Sequence, residues 1–227
     1  NVAQNAGYAM IAQRYAAEFG WDERALAKIA ADQRRSANAT PNAVFRDVPI
    51  TIDDVLASKV VADPIHVLEI VMPCQGGTAI VVTSRERAAQ CPHRPVFVTG
   101  FGERLVYKTH TYARDMIRTP IAHAAEQAFT MAGVDRSQVD ACQLYDCYTI
   151  TVLLTLEDAG FCEKGEGAAF VNDHDLSYAG NFPMNTNGGQ LGFGQPGAAG
   201  GMIHVVEAVR QIQGRAGARQ LSSADTM

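Results

Sequence analysis

No apolar run in this chain approaches the roughly 20 residues that a membrane-crossing helix needs. Basic residues are not in excess: 19 Lys and Arg against 24 Asp and Glu leave a formal charge of −5, which gives no reason to expect a nucleic-acid partner. Cysteine is sparse, five residues with irregular spacing, so a disulfide framework is excluded and a reducing, cytoplasmic location is expected. No two cysteines have the spacing of a zinc knuckle, so no metal site is expected either. A basic region followed by a short apolar stretch, the mark of a secretory signal, is missing at the start. What remains is 47% hydrophobic and 19% charged, the composition of a globular protein with a real core.

The chain opens inside a helical pattern and stops at "ARQLSSADTM" without a capping signal, so a piece of something longer is expected. Ile11, Tyr15 and Phe19 recur at helical spacing up to Gly20. Asp22 reads as the N-cap of a second helix with Leu26, Ile29 and Ala30 on one face. Residues 36–48 read as loop, and Thr51 opens a short helix. Three strands are predicted, in "TAIVVTS" (78–84), "RPVFVTGFGE" (94–103) and "QVDACQLYDC" (138–147). Thr119 and Pro120 open a helix with a stripe of small residues, and "YTITVLLTLEDAGF" forms another. Residues 162–194 read as loop. A last helix follows, with Met202, Val205, Val206, Val209 and Ile212 as its apolar face. Alternating strands and helices make the class α/β.

"NTNGGQLGFGQPGAAGG", from Asn185 to Gly201, holds seven glycines in seventeen positions and runs straight into that last helix. Peptide N–H groups at a helix start can cradle an anion, but the stretch is neither a Walker loop nor a dinucleotide fingerprint. Its Asn-Thr-Asn and Gln-Pro set it apart from a flexible linker. "YDCYT" (145–149) falls between a strand and a helix, where α/β proteins present reactive groups, or else it is two packing tyrosines around a buried thiol. Cys142 and Cys162 read as core, and Cys74 as core or as a reactive thiol at a glycine turn. His174 in "NDHD" is a cation ligand or a solvated loop residue. His66, His93, His110 and His123 stand alone, and His204, on an apolar helix, reads as a satisfied core residue.

The glycine stretch, "YDCYT" and "ADPIHVLEIVMPCQGGTAIVVTS" together resemble the thiolase superfamily, most closely its sterol-carrier-protein-x or lipid-transfer branch. The specific signal is "NxNGG" followed by "GxPG" and a small-residue helix. The resemblance implies a thiolase-like α/β fold of two pseudo-symmetric halves. Residues 1–90 would end the first half, with its helical loop region, and 91–227 would form most of the second, incomplete at its end. It also implies a dimer, a CoA thioester as substrate and no covalently bound cofactor.

Two positions depart from the family pattern. The histidine of "GHP" is Gln195 here, and the first residue of the branch's "HDCF" motif is Tyr145. The resemblance makes Tyr145 and Gln195 the catalytic candidates. It makes Asp146, Asn187, Gly188, Gly189, Gly194, Pro196 and Gly197 candidates for substrate binding. An amide does not titrate in the working range, so ordinary thiolysis is not expected. Tyrosine suits the branch's steroid side-chain aldolases, which cleave a β-hydroxyacyl-CoA and pair with a small OB-fold and zinc-ribbon protein. A thiolase and a non-catalytic acyl-CoA-binding scaffold are the alternatives.

Overall fold

The computed structural model describes residues 2–107 and 112–227, so His110 lies outside the described residues. The first helix, α1 (Val2–Phe19), stops at Gly20, whose φ of 89° is the left-handed conformation that glycine adopts without strain. Asp22 then caps α2 (Glu23–Asn38): its Oδ1 accepts the N–H groups of Arg24 and Ala25 at 3.0 and 3.1 Å. Leu26, Ile29 and Ala30 are buried, as the spacing predicts. Thr51 and Asp54 exchange side-chain-to-backbone hydrogen bonds in a capping box that opens α3 (Ile52–Ala57).

A two-stranded antiparallel ribbon follows, β1 (Val60–Ala62) and β2 (Ile65–His66), and it is the one named sheet among the described residues. The three predicted strands are not strands here. Residues 78–84 and 94–103 carry no ladder, and the single helical turn α4 (Arg85–Ala88) lies between them. Val81, Val82 and Val98 are about nine-tenths exposed. The third segment makes one parallel bridge, Cys142 to Met184. Alternating β-branched residues favour extended backbone, but a strand exists only where a neighbour answers its N–H and C=O groups.

The small-residue stripe explains where one of these segments lies. In α5 (Ile121–Ala132), Ala124, Ala128 and Ala132 line the half-buried side. Gly100 and Gly102 sit on it so closely that a Cβ would stand 2.1 Å from the Ala128 carbonyl oxygen or 1.8 Å from that of Ala124. Thr119 Oγ1 accepts the Ile121 N–H at 3.3 Å, and Gly133 closes the helix at φ 63°.

The core gathers around α6 (Thr149–Asp158). Ile150, Leu153 and Leu156 pack with Ile11 and Tyr15 of α1, Leu26 and Ile29 of α2, and Met184 and Leu191. Each such side chain contributes roughly 1.5–3 kcal/mol when fully removed from water. Inside the stretch predicted as loop lie α7 (Gly167–Asp173) and the single turn α8 (Gly189–Gly192). The start of α7 is held from a distance, since Glu157 Oε1 accepts the N–H groups of Gly165 and Gly167 and the hydroxyl of Tyr15. A cap supplied by another helix leaves no local signal.

The last helix, α9 (Gly200–Ile212), turns a different face inward from the one its apolar spacing predicts. Ile203, His204, Glu207 and Gln211 are buried, while Met202 and Val205 are exposed. Polar partners reverse the orientation. Glu207 pairs with Arg219 at 2.7 Å and accepts from Thr186 at 2.8 Å, and Gln211 donates to Thr186 and to the Arg219 carbonyl, both at 3.0 Å.

Candidate active site

The site is built where the extended segment 142–145 meets the glycine stretch. Asn185, at φ 47°, stands in for a neighbouring strand. Its Oδ1 accepts the Leu144 N–H at 2.7 Å, and its Nδ2 donates to the Leu144 carbonyl at 2.9 Å. Asn187 Oδ1 accepts the Gly189 N–H at 3.0 Å, and its carbonyl takes a hydrogen bond from Thr40. The two asparagines thus supply backbone-like partners, which a flexible linker would not need.

The glycines of this turn are required by contact as well as by conformation. Gly188, at φ 102°, lies against Ala37, where a Cβ would approach that side chain to 2.6 Å. Gly189 has φ 58°, and a Cβ there would stand 2.1 Å from Asp146 Oδ2. Asp146 is fully buried, and its carboxylate accepts the N–H groups of Gln190 at 2.7 Å and Leu191 at 3.2 Å. It holds the glycine turn from behind.

Tyr145, the preceding residue, points the other way and is 45% exposed. Gly201, at the start of α9, lies under its ring, and Gln190 and Gln195 both reach over Gly200. Burial pushes the Tyr145 phenol above its ordinary pKa, and the Cys147 thiol adds to this, while hydrogen bonding from Gln195 and Gln190 pulls the other way. The net shift is upward, so the group is a neutral phenol. The Gln195 side chain is itself held in the turn: Nε2 donates to the Gly197 carbonyl at 3.1 Å, and Oε1 accepts the Gly197 N–H at 3.3 Å.

The sequence-predicted residues therefore divide into three groups, the first being Asp146, Gly188 and Gly189, buried in or behind the turn. Tyr145, Gln195 and Gly197 are open to solvent or partly so, around the N-terminal end of α9. Asn187, Gly194 and Pro196 line a cavity of about 220 Å³ with Cys74, Val206 and Arg210. Cys74 donates its N–H to the Gln195 carbonyl at 3.0 Å, and its Sγ would be 2.8 Å from a Cβ at Gly194, so the thiol is packed against the loop.

The remaining candidates lie elsewhere. His174 stacks on Phe170 at 4.1 Å, with Nδ1 2.7 Å from the Phe170 carbonyl. Among the described residues, no three His, Cys, Asp or Glu side chains gather as a metal site would require. Cys142 is buried and its thiol is pushed up to about 12 by desolvation. Cys147 is buried behind Tyr145, 3.4 Å from the Tyr8 hydroxyl, and Tyr8 stacks on Tyr148 at 4.0 Å.

Two residues beside Tyr145 were missed. Gln190 is fully buried, and His204 is buried with Nε2 3.3 Å from Asp146 Oδ1 and 3.3 Å from Gln190 Nε2. His204 is buried, as expected of a core residue, but its Nδ1 has no partner among the described residues, so it is not fully satisfied there. The available signal was a histidine four residues after Gly200, on the same helix face as that glycine.

Comparison with known proteins identifies the family and the fold. The family described as Thiolase C-terminal domain-like matches residues 102–227. A steroid side-chain-cleaving aldolase from Thermomonospora curvata is 35% identical over 91% of this chain and 53% of its own length. A 17-hydroxy-3-oxo-4-pregnene-20-carboxyl-CoA lyase from Mycobacterium tuberculosis is 34% identical over 91% of this chain and 54% of its own. The solved structure of the Ltp2-ChsH2(DUF35) aldolase superposes with a TM-score of 0.87 and 34% identity, covering 95% of this chain and 56% of that one. The chain spans about half the length of the curated relatives it matches. The fold is thiolase-like, and the chain belongs to the thiolase superfamily, in the branch that holds the sterol-carrier-protein thiolases and the steroid side-chain aldolases.

Proposed function

We propose that the whole protein breaks a carbon–carbon bond in a CoA thioester by retro-aldol cleavage of a β-hydroxyacyl-CoA from a lipid or steroid side chain. The observation that carries this reading is the pairing of a neutral phenol, Tyr145, with an amide, Gln195, where the resembled family has titratable histidines. Thiolysis needs a base to activate a cysteine, and Gln195 cannot be one. Retro-aldol cleavage needs no covalent nucleophile.

In that reaction the β-hydroxyl loses its proton, the Cα–Cβ bond breaks and the β-carbon becomes a ketone. The bonding electrons pass to Cα as a thioester enolate, which takes up a proton to give the shorter acyl-CoA. A neutral phenol cannot take up the first proton by itself, so the two transfers are coupled: as the phenol delivers its proton to Cα, its oxygen takes the one leaving the β-hydroxyl, and the phenol ends as it began. The enolate oxygen gathers charge next to the first turn of α9, the positive end of the helix dipole. The Gln195 amide, anchored to the Gly197 carbonyl through one N–H, acts on the Tyr145 phenol with the other. Gly194, Pro196 and Gly197 shape the thioester wall, and Asp146, Asn187, Gly188 and Gly189 hold the turn that presents it.

The same reading makes CoA part of the substrate and requires no covalently bound cofactor. The solved aldolase related to this chain carries a DUF35 component in its name, which supports a small partner of the OB-fold and zinc-ribbon kind. The exposed Val81, Val82, Val98 and Leu105 on unpaired extended backbone support self-association as well. Residues 1–90 and 91–227 are then parts of two successive thiolase halves. No helix among the described residues is long and apolar enough to cross a membrane, and all five cysteines are free, which suits a reducing cytoplasm.

The test is to incubate the whole protein, with any partner, with a tertiary β-hydroxyacyl-CoA such as 3-hydroxy-3-methylbutyryl-CoA. The expected products are acetone and acetyl-CoA, formed without added CoA. CoA-dependent cleavage of a β-ketoacyl-CoA such as acetoacetyl-CoA, with the tertiary alcohol left intact, would favour a thiolase. Tight binding without turnover across a series of such thioesters would favour a scaffold.

A further inference from the structure

We infer that Thr186 is a positioning residue for Tyr145, its hydroxyl setting where the phenol stands against the N-terminal end of α9; the inference rests on the role proposed for Tyr145 above. Thr186 lies between the two asparagines of the glycine stretch and is fully buried. Its Oγ1 donates to Glu207 Oε1 at 2.8 Å, and it accepts from Gln211 Nε2 at 3.0 Å and from Gln143 Nε2 at 3.3 Å. Glu207 and Gln211 belong to α9, and Gln143 lies two residues before Tyr145. One hydroxyl therefore joins the helix to the segment that carries the phenol.

The direction of each hydrogen bond follows from the partners. The Glu207 carboxylate pairs with Arg219 through both oxygens, at 3.0 and 2.7 Å, so it only accepts, and the Thr186 proton is committed to it. The hydroxyl lone pairs are then left for the two amides, and both turn their NH2 groups toward it. Gln211 does so with its Oε1 accepting the Leu221 N–H at 3.1 Å. Gln143 does so at a cost, because its Oε1 is buried without a partner among the described residues. The one donor and both acceptor positions of the hydroxyl are filled.

Two contacts then align segment 142–145 with α9. Alternate residues of extended backbone face the same side, so Gln143 and Tyr145 point together while Asp146 points away. Gln143 reaches the helix at Glu207 and Gln211 through Thr186, whereas Tyr145 lies over Gly201, where a Cβ would stand 3.8 Å from its ring. The spans are comparable: two residues cover about 7 Å of extended chain, and the step from Gly201 to Glu207 covers about 9 Å of helix. Apolar side chains would hold α9 at this distance but not at one register, because their contacts have no direction. Three directed hydrogen bonds select one register. Sliding or turning the helix would carry its first turn away from the phenol.

The experiment uses the whole protein, with any partner, on 3-hydroxy-3-methylbutyryl-CoA. The tyrosines carry ¹³C at Cζ, whose shift reports the surroundings of the phenol, and Tyr145→Phe assigns the Tyr145 resonance. Thr186→Val keeps the branched shape and removes the hydroxyl. It should lower kcat about tenfold with KM little changed, the effect of one lost hydrogen bond, and displace the Tyr145 resonance. Thr186→Ser returns the hydroxyl and should recover both. Gln143→Leu cuts the link on the Tyr145 side and should match Thr186→Val, and the double variant should be little worse than either alone. If Thr186→Val and Gln143→Leu lower the urea midpoint but leave kcat and the resonance unmoved, the hydroxyl only stabilises the fold and the inference is overturned. It is overturned too if Thr186→Ser is as slow as Thr186→Val. Should Thr186→Val fail to fold, Gln143→Leu, at a partly buried position, decides alone by the same two readouts. No turnover by the unmodified protein, or full activity in Tyr145→Phe, would instead sink the proposed function, and the resonance would still report whether Thr186 governs the place of the phenol.

Discussion

Asp146 and Gly189 are in contact across the turn: the carboxylate occupies the space where any side chain at residue 189 would begin, 2.1 Å from a Cβ. The glycine turn and the loop that carries Tyr145 are therefore one unit, joined by the hydrogen bonds from Gln190 and Leu191 to the buried carboxylate.

Gly189→Ala is expected to break that unit twice, by the clash with Asp146 and by placing a side chain at φ 58°. The cost should reach about 3 kcal/mol or more, in the range of strained and overpacked core positions. Asp146→Ala leaves the two N–H groups without an acceptor and should cost about 2–4 kcal/mol. Urea unfolding monitored by circular dichroism measures both. A loss under about 0.5 kcal/mol, the range of ordinary surface changes, would show that the turn is held by something else.

Stability should fall as pH rises above about 9, the ordinary thiol range. Burial holds the Cys142 thiol up to about 12, and Cys162 likewise up to about 12. Between those limits the unfolded chain releases protons that the native chain keeps, so the unfolded state binds fewer protons and stability declines with pH. The contribution of these thiols is complete below about 9 and lost by about 12. Urea midpoints at pH 8, 9, 10 and 10.5 test this, and Cys142→Ala should flatten the decline. An unchanged slope in that variant would contradict the assignment.

Much of this architecture can be read from local pattern, because its causes are local. The cap at Asp22, the capping box at Thr51 and the small stripe of α5 each depend on residues within a few positions of one another. The alternation that sends Asp146 away from the Tyr145 hydroxyl is local too, and the two residues do lie on opposite sides, one fully buried and one open. The predicted strands failed because pairing is set by distant neighbours. The face of α9 was misjudged because its inward side is polar: Glu207, Gln211 and Arg219 satisfy one another, and no hydropathy pattern announces a buried ion pair. His204 and Gln190 were missed for the same reason, since each gains meaning only from what α8 and α9 bring beside it.

The exposed apolar backbone of residues 78–107 predicts association. In size-exclusion chromatography with light scattering, this chain should elute as a dimer or larger species at micromolar concentration, or require a second polypeptide to stay in solution. Charged substitutions at Val81 and Val82, both about 90% exposed, should shift it toward the monomer without lowering its helicity. A well-folded monomer of the unmodified chain at that concentration would contradict the expectation.

The central claim is that the hydroxyl of Tyr145 handles the proton of the cleavage. Tyr145→Phe removes one oxygen from a ring that is 45% exposed, so folding should be preserved. In the whole protein, release of the shorter acyl-CoA from a tertiary β-hydroxyacyl-CoA should slow by roughly 10²–10⁴-fold, the usual contribution of a positioned acid or base. Binding of the CoA thioester should change far less. Full activity in Tyr145→Phe, with activity lost instead in Tyr148→Phe or in a cysteine variant, would contradict the account.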